Sequence, residues 1–354
     1  MQEKMSSRER MLAAINHEPL DRIPTDIWAI PEVGAALMSH FNCDWEEVNA
    51  KLHVDGFAGT GPDFVGPPPP EGSDDYLWGT IHRSVDYGTG TYHEQVGAPF
   101  DSAQSIDDLD KFRWPQADWF DFSKVRERAV AGHSQKLVQA GYMAPFFDHN
   151  NLRGLEQSFM DPLEDPEFTH EFLRRVMKFR FDYHRRLFEA ADGFIDVAQV
   201  TDDLGSQTGP LMSLEIYREF YKPYHKQAIE LCREFGIRVF HHDDGSCRQF
   251  LPDLIELGIE ILNPVQWNCP GMDTDGLKRD FGKKICFHGG IENQGILPFG
   301  TPEDVRAEVR HCIDSLACDG TGYILAPCHN MQPVTPIENI LALYDEAWNY
   351  GKLS

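Results

Sequence analysis

His242 and Asp244 stand two residues apart at the end of an apolar run, IRVF. In an extended chain, residues two apart project to the same side. If Phe240 points inward, so do His242 and Asp244. Cys328 closes a later apolar run, GYILAP. A His, an Asp and a Cys brought together form a three-ligand site with an open fourth position, the arrangement of catalytic zinc. The anionic donors favour a divalent cation, and the thiolate favours zinc. His329 and His288 are reserve ligands. The alternative is that Asp244-Gly245-Ser246 caps the following helix while hydrogen bonds hold His242. His241, one position out of phase, is expected to face the helices.

Two further segments carry chemistry. Thr201-Asp202-Asp203-Leu204-Gly205-Ser206-Gln207 follows the run FIDVAQV. Its carboxylates could orient a substrate hydroxyl or move a proton. The alternative for Asp202 is a helix cap on a backbone amide. Asp148-His149-Asn150-Asn151-Leu152-Arg153 follows another apolar run, and Arg153 could hold a carboxylate or pair with Glu156. Asp203 and His149 are therefore the candidate catalytic groups. Gln207, Asp202, Asn150, Arg153 and His288 are the candidate substrate contacts. Trp28, Phe147 and Trp267 are among the aromatics that could line a pocket.

These residues need a frame that gathers strand ends. SSRERMLAAIN reads as a helix, with Ser6 and Glu9 at capping-box spacing, and DRIPTDIW reads as an entering strand. From about residue 120 onward apolar runs alternate with helical stretches. Asp165-Pro166 opens a long helix, as N-cap and first-turn proline. Strand-then-helix repetition predicts a parallel sheet. The expected fold is α/β: a single (β/α)8 TIM barrel over 1–354, with an N-terminal extension and Gly/Pro-rich insertions at the mouth. Residues 52–115 are expected to be an insertion or lid. In such a barrel the C-terminal strand ends form the active site, and those ends carry the residues above.

Composition narrows the function. The 354 residues carry 32 Lys+Arg against 57 Asp+Glu, a net charge of −25. So acidic a chain is a poor partner for nucleic acid or an anionic membrane surface. Apolar residues make up 41% and the mean hydropathy is −0.43, as in a folded globular protein. The opening residues lack the apolar core of a signal peptide. The eight cysteines form no CxxC pair, which suits reduced thiols and a cytoplasmic location.

Four segments are similar to the uroporphyrinogen decarboxylase superfamily: SSRERMLAAINHEPLDRIP, TDDLGSQTGPLMSLEIYREFYKPYHKQAIE, HHDDGSCRQFLPDLIELGIEILNPVQ and GTGYILAPCHNMQPVTPIENILALYDEAW. The resemblance runs the whole length and implies a single (β/α)8 barrel. The superfamily holds metal-free tetrapyrrole decarboxylases and zinc-dependent methyltransferases linked to corrinoid proteins and thiols such as coenzyme M. The decarboxylases carry an N-terminal arginine cluster, whereas the comparable stretch here, Asp26 to Glu32, has no Arg. His242-Asp243-Asp244-Gly245 resembles the methyltransferases' His-x-Cys-Gly motif, with Asp244 in place of the first Cys, and Cys328 matches the second. The resemblance thus implies a methyltransferase with zinc on His242, Asp244 and Cys328. It would move a methyl group between a small methylated substrate and a corrinoid protein or thiol. An oxygen ligand puts thiol activation in doubt and suits a metal that polarises an ether, as in the superfamily's O-demethylases. No corrinoid-binding Asp-x-His-x-x-Gly motif is present, so the cobalamin would ride on a separate protein. The alternatives are a metal-free decarboxylase and a non-catalytic metabolite-binding barrel. A homodimer is compatible with either class.

Overall fold

The structure is a computed structural model that describes residues 3–86, 88 and 91–353. Seven strands form one parallel sheet in chain order. They are β1 (Phe57–Gly59), β2 (Leu137–Met143), β3 (Val197–Val200), β4 (Arg238–His242), β5 (Ile261–Asn263), β6 (Cys286–Ile291) and β7 (Tyr323–Pro327). The last five are largely buried on both faces, as parallel strands covered by helices must be. The entering segment lies against β7: Thr25 bridges Leu325 and Ala29 bridges Met331, both in parallel. The Thr25 carbonyl in turn accepts the N–H groups of Asp55 and Gly56, just before β1.

Local signals set most helix starts. Ser6 and Glu9 close a reciprocal capping box on Ser7–Ile15. The Asp165 carboxylate caps Pro166–Ala191 by accepting from Phe168 N–H. That 26-residue helix buries Phe168, Phe172, Val176, Phe179 and Leu187, at the 3.6-residue spacing of an amphipathic helix. No helix of the described residues is long and apolar enough to cross a membrane. All eight cysteines are free thiols.

Two expectations need correction. The 52–115 stretch is not wholly an insertion, because Phe57–Gly59 pairs with Leu137–Gln139 as the first sheet strand. Three residues are too few to show a period. The excursion that follows holds an antiparallel hairpin, Ile81–Asp86 with Thr91–Gly97. It also holds a short pairing of Asp63–Phe64 with Phe120–Asp121. Secondly, Asp148 to Arg153 do not end a strand. β2 stops at Met143, and Pro145, fixed at a helical φ, starts the helix Pro145–Arg153 at once.

Candidate metal site at the sheet's C-terminal edge

His242 ends β4 with its backbone held by Thr201. Thr201 Oγ1 accepts from His242 N–H at 3.0 Å and donates to the His242 carbonyl. Phe240, two residues earlier, is buried and 6.2 Å from the rings of both Trp28 and Phe57. So Phe240 and His242 share the interior face. Trp28 stacks on His242, with ring centroids 5.7 Å apart.

The loops after β3 and β4 touch backbone to backbone. Ser246 N–H donates to Ser206 O, and the buried Asp243 carboxylate accepts from Leu204 and Gly205 N–H at 2.8 and 3.1 Å. This approach demands glycine twice. A Cβ on Gly205 would lie 2.5 Å from Asp244 O, and one on Gly245 (φ +75°) 2.4 Å from Ser206 O. The crossing sets two carboxylates beside one imidazole. Asp203 Oδ1 and Asp244 Oδ1 lie 3.8 and 3.7 Å from His242 Nε2. Asp203 Oδ1 also accepts from Asp244 N–H at 3.1 Å.

His242, Asp244 and His329 each offer a donor atom within 4.8 Å of the others. His329 thus stands where Cys328 was expected. Cys328 is buried, with its thiol 3.6 Å from the carbonyls of Pro264 and Val265, and burial pushes its pKa well up, against the thiolate.

The alternative, a helix cap by Asp244-Gly245-Ser246, is not made. The first turn after it has Cys247 as N-cap and no side-chain cap. Asp244 Oδ1 is buried without a hydrogen-bond partner among the described residues. Two ligands about 2.1 Å from a tetrahedral zinc sit ~3.4 Å apart, close to the 3.7 Å from this oxygen to His242 Nε2. An orphaned carboxylate oxygen opposite an imidazole nitrogen, too far for a hydrogen bond, fits a cation between them. Burial also raises the Asp244 pKa, a cost that a bound cation would reverse.

The remaining candidates divide. Asp203 reaches the mouth. Asn150 lines the adjacent cavity of about 590 Å³, with Phe147, Leu155, Asp203 and Leu211. Gln207 donates to Gln266 at 3.1 Å, which also takes Gly245 N–H, so it braces the loops. Asp202 is a buried helix cap, accepting from Phe146 and Phe147 N–H and 2.9 Å from His225 Nε2. Burial raises its pKa. His149 is fully buried in the helical layer, bonded to Tyr221 and Asp161, and burial lowers its pKa. Arg153 grips Asp161 through Nε at 2.7 Å and the Phe100 carbonyl, not Glu156. His288 is buried between Asn263 and Asp26. His241 faces the helices as expected, bonded to Val200 O at 2.7 Å. The structure therefore does not bring His149, Asp202, Arg153 or His288 to the mouth as free groups. Sequence reasoning gave Asp26 and Asn263 no role. Both end up behind His242, and the only sequence signal was that Asn263 closes an apolar run.

Residues 93–350 match the uroporphyrinogen decarboxylase (URO-D) family, and the chain belongs to it. A methylated-thiol–coenzyme M methyltransferase of Methanosarcina mazei is 28% identical over 203 residues, 56% of this chain and 49% of that protein. The methylcobamide:CoM methyltransferase MtbA of the same organism is 22% identical over 97% of this chain and 98% of its own length. A uroporphyrinogen decarboxylase of Dechloromonas aromatica is 25% identical over 48% of this chain and 49% of that enzyme. The chain thus spans about half the length of the first and third relatives and nearly all of the second. Its resemblance is closer to the corrinoid and coenzyme M methyltransferases than to the decarboxylases. A solved methyltransferase from Methanosarcina mazei shares the fold, with a TM-score of 0.66, 19% identity and coverage of 98% and 99% of the two chains.

Proposed function

We propose that this URO-D family member is a zinc-dependent methyltransferase that moves a methyl group between a small methylated substrate and a corrinoid carried by a partner protein or a thiol. The observation that carries the metal is the buried, unpartnered Asp244 Oδ1 facing His242 Nε2 at 3.7 Å. The full-length relative supports the methyl chemistry. In this reading His242, Asp244 and His329 hold the ion and Cys328 does not. The segment bridging β7 and β1 serves as the eighth stave of a (β/α)8 barrel. The free thiols fit a reducing cytoplasm.

Bound zinc would supply a Lewis acid for the heteroatom that carries the methyl group. The chain's own residues do the rest. Asp203, with a side chain 42% exposed, accepts a hydrogen bond from the substrate or takes its proton. Trp28 stacks on His242 and keeps water off one of its faces. Phe147, Leu155 and Leu211 give the adjacent cavity an apolar wall for the substrate's body. Arg153 and Arg180 are already matched, Arg153 to Asp161 at 2.7 Å and Arg180 to Asp148 at 2.5 and 2.8 Å. That favours methyl transfer over binding a polycarboxylate.

Metal content of protein purified without chelator tests the reading. About one zinc per chain is expected, lost in His242→Ala and Asp244→Ala, weakened in His329→Ala and kept in Cys328→Ala. Loss of zinc in Cys328→Ala but not His329→Ala would reassign the third ligand. A wild type that takes up no added zinc would sink the mechanism. Methylcobalamin absorbance with candidate thiols and methyl ethers then tests transfer.

A further inference from the structure

A chain of hydrogen bonds runs behind His242 across the interior. His242 Nδ1 is 2.5 Å from Asn263 Oδ1. Asn263 Nδ2 is 2.7 Å from His288 Nδ1. His288 Nε2 is 3.0 Å from Asp26 Oδ2. Asn263, His288 and Asp26 are all buried. They come from β5, β6 and the entering segment, and Asp26 lies 262 residues from His288.

The direction of this chain is fixed at both ends of the amide. Asp26 Oδ2 also accepts from Trp28 Nε1, at 2.9 Å, and its Oδ1 from Ile27 N–H. Indole and backbone N–H groups only donate, so this carboxylate is an acceptor throughout, and His288 Nε2 must carry the proton it offers. His288 Nδ1 is then bare and accepts from Asn263 Nδ2. That amide nitrogen is also 3.4 Å from the His288 carbonyl, which can only accept. The amide therefore cannot be turned round without losing two bonds. Its Oδ1 faces His242 Nδ1, which must be the protonated nitrogen.

We infer that Asn263, His288 and Asp26 are positioning residues that fix His242 as the Nδ1–H tautomer, leaving Nε2 bare toward Asp203 and Asp244. An isolated imidazole divides its proton between its two nitrogens. Here the choice is made before any ion arrives. Phe240 and Phe57 flank His288, at ring-centroid distances of 5.2 and 6.2 Å, so water has little access to compete. The consequence for metal affinity rests on the zinc reading above. The tautomer itself does not.

The test uses the full-length protein labelled with 15N-histidine and stripped with chelator. His242 resonances are assigned by their loss in His242→Gln. Wild type is expected to show a single tautomer, protonated at Nδ1 and bare at Nε2. Asn263→Leu should give a mixture with Nε2–H and bind zinc about 10- to 100-fold more weakly, the usual effect of removing a ligand's outer partner. Asn263→Asp keeps an acceptor at the same place and should restore both the tautomer and most of the affinity, which a merely structural role would not require. A wild-type proton on Nε2 overturns the inference. So does an Asn263→Leu protein with wild-type tautomer and affinity. If Asn263→Leu fails to fold, the wild-type and Asn263→Asp spectra still decide. The expected tautomer in a protein that takes up no zinc would uphold the relay and overturn the metal reading alone.

Discussion

The two ends of the sheet treat buried charge in opposite ways. At the N-terminal end, Asp55 is fully buried and every oxygen is matched. It meets Arg10 Nη1 at 2.5 Å and Arg22 Nη1 at 2.8 Å, and it accepts Thr25 N–H at 3.0 Å. Arg10 reaches Asp21 as well, at 2.7 Å. These bonds tie Ser7–Ile15, the entering segment and the approach to β1 into one staple. At the C-terminal end, Asp202, Asp203, Asp243 and Asp244 gather with no guanidinium among their salt-bridge partners in the described residues. Among the described residues Asp244 Oδ1 is buried with no hydrogen-bond partner, Asp243 Oδ2 and His241 Nε2 face each other at 3.6 Å, and burial pushes the Asp243 and Asp244 pKa values up. An unmatched buried polar group costs about 1–3 kcal/mol. A fold that matches its buried carboxylate with two guanidiniums at one end and leaves a buried carboxylate oxygen facing an imidazole at the other marks the second end as the place where something else completes the set.

The contrast breaks most visibly at the staple. Asp55→Ala leaves two buried guanidiniums facing each other. The expected loss is about 3–5 kcal/mol of stability, the cost of stranding a buried charge, read as a shift in the urea midpoint. A loss below about 1 kcal/mol would mean that the N-terminal end is not the stapled one. Next comes the loop crossing. A Cβ on Gly205 would collide with backbone, Asp244 O at 2.5 Å and Ser246 N at 2.7 Å, which cannot swing aside as a side chain could. Gly205→Ala should cost about 1–3 kcal/mol and weaken zinc uptake, because the same crossing carries Asp203 and Asp244. Wild-type zinc affinity in that variant would show that the loops find their geometry without it.

Legibility followed the range of the interactions. The Ser6–Glu9 box and the Asp165-Pro166 cap act within one helical turn, and both were readable. So was the inward phase of Phe240, His242 and Asp244, because strand alternation is local. β1 escaped because Phe57–Gly59 is too short to show a period. Pro145 was available as a helix start, but the apolar run MAPFF hid the break after Met143. The roles of His149, Arg153, Asp202 and His288 depended on Asp161, His225 and Asp26, partners set by tertiary contacts across helices and strands. Nor could a sequence say whether Cys328 or His329 turns inward, since that rests on the twist of the chain leaving β7.

On the helix packed against β2, His184 gives the contrast a pH axis. Burial pulls its pKa from 6.5 down to about 3. The neutral ring is fully used: Nδ1–H donates to Arg180 O at 2.6 Å, and Nε2 accepts Tyr142 N–H at 2.8 Å. A histidine whose folded pKa lies below its unfolded value stabilises fully above pH ~6.5. The unfolded chain takes up the proton first, so that stability is lost as pH falls from ~6.5 toward 3. The expected slope is about 1.4 kcal/mol per pH unit inside that window. In His184→Leu the slope from this group should vanish. An unchanged pH profile would show that acid unfolding is governed elsewhere.

The smallest effect is the most discriminating. Asp244→Asn keeps the shape of the side chain and removes its charge. Burial holds the folded-state pKa of Asp244 above the 3.8 of a free carboxyl, so folding favours its protonated form. The stability it costs appears as pH rises through 3.8 and is fully present above the folded pKa. At neutral pH the Asn variant escapes that cost, and metal-free protein should be as stable as wild type or up to ~1 kcal/mol more stable. Zinc uptake should fall all the same. Asp55→Asn, the same substitution at the other end, should destabilise instead, because there the charge is matched by Arg10 and Arg22. Equal losses of stability in the two variants would erase the distinction between a carboxylate placed to hold the fold and one placed to wait for a ligand.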